Sequence, residues 1–100
     1  MVTNIVWITT SQSQLRPIIG YLASEYSINT ANKFMEEIDK RLQKIWKYPE
    51  IGRLSPLPNV RFFQIKKRYN FCYRVQGSTL YVLYIWDTKR NPRTNPFREN

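Results

Sequence analysis

The stretch VRFFQIKKRYNFCYRVQGSTLYVLYIWDTKR, residues 60–90, decides the fold. β-Branched and aromatic residues dominate it, and their spacing predicts three strands over 60–66, 69–76 and 79–87. Gly77-Ser78 reads as a two-residue hairpin turn between the last two. Side chains alternate along a strand, so the middle one has two faces. Tyr69, Phe71, Tyr73 and Val75 form an apolar face that needs a cover. Arg68, Asn70, Cys72, Arg74 and Gln76 form the other, which reads as basic, polar and open.

The cover lies upstream. Leu15, Ile18, Ile19, Leu22, Ala23 and Tyr26 make one helical stripe. Proline is comfortable only in a first turn, so this helix is expected to begin within a few residues of Pro17. A looser turn over 11–16 then carries Ser11, Ser13 and Gln14 as capping candidates. After a break at Ser27-Ile28-Asn29, with Asn29 as the expected cap, a second stripe runs through Ala31, Phe34, Met35, Ile38, Leu42, Ile45 and Trp46 to Pro49. Glu36 with Lys40 and Glu37 with Arg41 form i,i+4 pairs on its solvated side. The short connection makes the two helices an antiparallel hairpin. A short apolar strand over 3–9 precedes them. The fold class is α+β: a two-layer domain with an N-terminal strand and a helix hairpin on one face of a small, mainly antiparallel sheet. In Pro49-Glu50-Ile51-Gly52-Arg53, Gly52 is suited to a positive φ, and Arg53 is placed to cap helix carbonyls or pair with Glu50, with a reach to a ligand as the competing role.

Composition narrows the function. The chain has 100 residues and 42% hydrophobic content, which fits one folded domain and excludes disorder. That domain is expected over 1–92, with a basic tail over 93–100. There is no histidine, which removes the usual neutral-pH proton shuttle, and the lone Cys72 permits neither an intrachain disulfide nor a cysteine zinc cluster. Cys72 reads as a packing residue, and neither a metal nor a cofactor is expected. No stretch reads as a signal peptide or membrane span, so a cytoplasmic protein is expected. The net charge of +9 favours polyanions or acidic protein surfaces. The excess sits on the sheet, where Arg61, Lys66, Lys67, Arg68, Arg74, Lys89 and Arg90 face the single acid Asp87.

The order of elements and their motifs carries a family resemblance. A strand precedes a helix hairpin that ends in P-x-x-G-R (Pro49 to Arg53). An R-F-F-x-I strand from Arg61, Y-x-F-x-Y-x-V from Tyr69 to Val75, and a last strand closing in D-T-K-R-N-P from Asp87 follow. Together these resemble the RelE/ParE superfamily, the toxins of type II toxin–antitoxin modules, often called plasmid stabilisation proteins. The resemblance implies a growth-inhibiting toxin neutralised by a cognate acidic antitoxin whose disordered tail folds onto it in a hetero-oligomer. Leu80, Val82, Tyr84 and Trp86 are expected on one face of the last strand and Tyr81, Leu83 and Ile85 on the other. The antitoxin is expected at Tyr81, Leu83, Ile85 and Trp86.

RelE-like members cleave messenger RNA on the ribosome, using an arginine in the middle strand, another at the end of the last strand and a C-terminal tyrosine. Here Asn70 occupies the first position, Arg90 fits the second and no tyrosine follows Tyr84, so the constellation is incomplete. ParE-like members inhibit DNA gyrase by binding, and this chain resembles them better. The expected target-binding residues are Arg61, Arg68, Arg74, Lys89, Arg90 and Arg93, with a structural salt bridge as the competing role of Arg61. Two alternatives stay open: a ribosome-dependent endoribonuclease with the variant set Lys67, Tyr69, Arg74 and Arg90, and a small basic nucleic-acid-binding domain.

Overall fold

The computed structural model describes residues 2–89. Strand β1 (Asn4–Trp7) leads into helices α1 (Thr9–Glu25) and α2 (Ile28–Lys47). Four strands follow: β2 (Arg53–Leu54), β3 (Arg61–Ile65), β4 (Tyr69–Gln76) and β5 (Thr79–Asp87). They form one sheet in the order β1-β5-β4-β3-β2, in which only the β1–β5 pair is parallel. Both helices pack on one face. The domain is α+β with two layers.

Aromatic stacking ties the layers together. Phe63 and Phe71 stack on neighbouring strands with ring centroids 5.1 Å apart. Phe34 of α2 packs edge-on to Tyr69 at 5.4 Å. Phe34 and Phe71 are both fully buried, so truncating either to alanine costs about 3–5 kcal/mol.

Helix α1 departs from expectation. It starts at Thr9 and holds Pro17 inside it. The proline offers no N–H to the carbonyl four residues earlier, but bonds to β5 brace the turns before it. β1 stops pairing at Trp7↔Val82, which leaves the edge of β5 bare beyond that point. There the fully buried Ser11 hydroxyl donates to the Val82 carbonyl at 2.7 Å, and Gln14 Oε1 accepts from the Ile85 N–H at 2.6 Å. These residues, expected as helix caps, serve instead as an extension of the sheet edge. Helix α2 is capped by Ser27, whose Oγ accepts from the Thr30 N–H at 3.0 Å, rather than by Asn29.

A bulge corrects the expected facing of β5. Cys72 pairs with Tyr84 and Tyr73 with Val82, so Leu83 has no partner on β4. One extra residue reverses the alternation. Leu80, Val82 and Ile85 therefore point into the helical core, and Tyr84 and Trp86 fall on the opposite face.

Candidate functional site

The face away from the helices is not the open cationic surface expected from alternation. Asn70 is 4% exposed and Cys72 fully buried. In register, Cys72 lies between Phe62 and Tyr84, and Asn70 between Gln64 and Trp86, so larger neighbours flank both. Gln64 Nε2 donates to Asn70 Oδ1 at 2.8 Å. Burial pushes the Cys72 thiol up to about 12 and raises the Tyr84 phenol, which lies beside it, so both stay protonated at neutral pH. This is a packed strip with one exposed cation at its end, Arg74.

The expected target-binding residues separate into two ends of β4. Arg61 and Arg74 line a cleft of roughly 760 Å³ with Glu50, Leu54 and Pro58. Arg74 is exposed there. Arg61 is engaged: its Nη1 donates to the carbonyls of Glu50 (3.0 Å) and Gly52 (2.9 Å). Its structural role is thus to hold a loop, with carbonyls in place of the expected salt bridge. Tyr73 completes the clamp, its hydroxyl donating to Pro49 O at 2.9 Å and accepting from the Gly52 N–H at 3.0 Å. A Cβ on Gly52 would overlap the Tyr73 ring and hydroxyl, with Cε1 at 2.7 Å. Close approach, not a positive φ, is what requires glycine at this point.

Arg68 lies at the other end, about 20 Å along the strand from Arg74. It makes a two-point ion pair with Asp87, Nε to Oδ1 and Nη2 to Oδ2, each 3.0 Å. Its guanidinium also sits over the Tyr69 and Tyr21 rings, 5.0 and 5.7 Å from their centroids. These contacts tie Arg68 down as a brace between α1 and the sheet. Asp87 Oδ1 also accepts from the Lys89 N–H at 3.0 Å, and Lys89 itself is exposed. Arg90 and Arg93 lie outside the described residues.

The variant ribonuclease set is not brought together. Tyr69 is 3% exposed, and burial raises its phenol pKa further from a working range. Lys67 and Arg74 sit at opposite ends of β4. Of the expected antitoxin residues, Tyr81 and Trp86 share the face away from the helices, but Ile85 does not. Ile85 is sealed in the core at 4% exposure because of the bulge, while Tyr81, Leu83 and Trp86 are half-buried.

A second depression, not anticipated from the sequence, lies between α2 and the β2–β3 edge. It encloses roughly 490 Å³, and five cations line it: Arg41, Lys44, Arg53, Lys66 and Lys67. Glu37 is the one acid, and Ile51 and Phe62 contribute apolar surface. Arg41 does not pair with Glu37 but donates through Nη2 to the Gln64 carbonyl at 3.0 Å, capping the outer edge of β3. Lys66 and Lys67 both adopt left-handed backbone, φ 57° and 53°, in a turn closed by the Arg68 N–H on Ile65 O at 3.2 Å. That conformation costs an ordinary residue roughly 1–2 kcal/mol. The sequence signal was the Glu37 and Arg41 pair on α2, which read as solvated helix surface.

Among the described residues no group of acids and thiols is placed to hold a metal ion, and no helix is long and apolar enough to cross a membrane. The fold and its clefts define a small basic two-layer domain that presents cations from its sheet edges. A family model described as the ParE toxin of the type II toxin–antitoxin system parDE matches residues 5–92. The chain belongs to that family. Its fold is also similar to a solved structure titled as the chromosomal ParDE TA system from P. aeruginosa. The TM-score is 0.72 at 20% identity, over 89% of this chain and 98% of that one. No curated protein sequence matches the chain.

Proposed function

We propose that this chain is the toxin of a type II pair, neutralised in the cytoplasm by an acidic antitoxin, and that it acts by binding DNA gyrase rather than by cutting RNA. The observation that carries the reading is the scatter of the residues a ribonuclease would need. Attack by a ribose 2′-oxygen requires a proton acceptor, a donor and a cation converging on one phosphate. Tyr69 is sealed, Asn70 is bonded to Gln64, and Lys67 and Arg74 are a strand's length apart. Inhibition by binding needs no such convergence. It needs exposed arginines able to meet carboxylate or phosphate, and Arg74 at the mouth of its cleft is suited to that task.

Purified chain added to gyrase and relaxed plasmid tests the proposal. Loss of supercoiling is expected, with linear DNA released on denaturation and with Arg74→Glu at least tenfold weaker. Undiminished supercoiling at equimolar toxin, together with messenger cleavage on translating ribosomes, would overturn it.

A further inference from the structure

We infer that the groove between α2 and the β2–β3 edge docks an acidic peptide segment built around an aliphatic or aromatic anchor. Lys44, Arg53, Lys66 and Lys67 converge on it, and among the described residues none of their side chains is hydrogen-bonded or ion-paired. A concave surface with that many uncompensated cations attracts a strongly negative partner. Its turn is shaped at a cost: two consecutive left-handed lysines stand where asparagine and glycine would form the same turn with less strain. Strain held in place beside a cleft points to a function for the side chains that bear it.

Charge alone would suit a nucleic-acid backbone equally well. The floor decides between them. Ile51 is 54% exposed there, and a sugar–phosphate chain offers little to cover such surface. An amphipathic acidic segment satisfies both features, with carboxylates on the lysines and an apolar side chain over Ile51. Identifying the segment with the antitoxin's tail rests on the toxin–antitoxin reading above. It puts the partner at the β2–β3 edge, across β4 from Tyr81.

The test titrates a synthetic acidic peptide with a central leucine, and the product of whichever reading frame adjoins this gene, onto the full chain, by calorimetry at two salt concentrations. Lys44→Glu with Lys67→Glu should weaken binding at least 30-fold, and Ile51→Ser about tenfold. Arg74→Glu and Lys89→Glu, away from the groove, should stay within about twofold. Unchanged far-ultraviolet dichroism and melting would show that each variant folds. If the groove variants bind like the parent chain, while that chain still arrests growth and is rescued by its neighbour, the groove assignment fails and the toxin reading stands. If the parent chain neither binds nor arrests growth, the toxin reading itself fails and takes this partner with it. If the lysine reversals matter but Ile51→Ser does not, and a short DNA duplex competes, the groove takes nucleic acid and the inference is overturned.

Discussion

Two turns flank β4 and do the same geometric job with opposite chemistry. At its end, Gly77 takes a left-handed φ of 61° with open space where a side chain would go. At its start, Lys66 and Lys67 take nearly the same φ with full side chains. The β4–β5 turn is chosen for conformation. The β3–β4 turn accepts strain and places two ammonium groups on the rim of a groove. A turn that spends stability in this way marks where a surface is under a demand other than folding.

Substitutions can break or sharpen that contrast. The largest effect is expected at Gly52, which separates the two reasons for a glycine. Its φ is ordinary but its space is filled by Tyr73, so Gly52→Ala should cost about 3 kcal/mol in urea unfolding. Lys66→Asn with Lys67→Gly should go the other way. The pair relieves the strain and gains about 1.5 kcal/mol, or roughly 6–12 °C in Tm, while partner affinity falls. An unchanged or lowered Tm would remove the argument from strain. Gly77→Ala, with nothing for its methyl to strike, isolates conformation alone and should cost about 1 kcal/mol.

The smallest effect concerns the strand between the turns. The fold raises the Cys72 thiol to about 12, so the unfolded chain loses that proton first as pH rises. Stability from this source is complete below about pH 8 and declines above it, by about 0.8 kcal/mol at pH 9. Thermal melts should show that slope in the parent chain and in both turn variants alike, and a flatter one in Cys72→Ala.

What could be read from the sequence follows from how local each signal is. β4 and β5 were legible to the residue because each is a long β-branched and aromatic run bounded by turn residues. The two-residue β2 carries no period and was missed. The bulge at Leu83 carries no glycine to announce it, and that one silent residue misplaced Ile85, Tyr84 and Trp86 together. Ser11 and Gln14 were read as caps of a helix starting near Pro17, but they lie inside α1 and bond to β5 instead. Their partners, Val82 and Ile85, lie 71 positions away and could not be seen locally. The cationic groove was hidden for the same reason. Its lysines and arginines come from α2, β2 and a turn, each unremarkable in its own segment. Arg74 was found exposed, as expected, whereas Arg61 and Arg68 proved to be braces.

The lone parallel pairing, Asn4↔Thr79 through Trp7↔Val82, bears on how the molecule comes into being. During synthesis the first strand emerges with no neighbour and must wait for the β4–β5 hairpin, the last of the described strands, before it has an edge to join. Helices can form early, yet closure of the sheet is a late, all-at-once event with a long loop to close. Until that closure the chain has its helices but not the finished sheet, so whatever must recognise the whole sheet can meet it only once synthesis has passed β5.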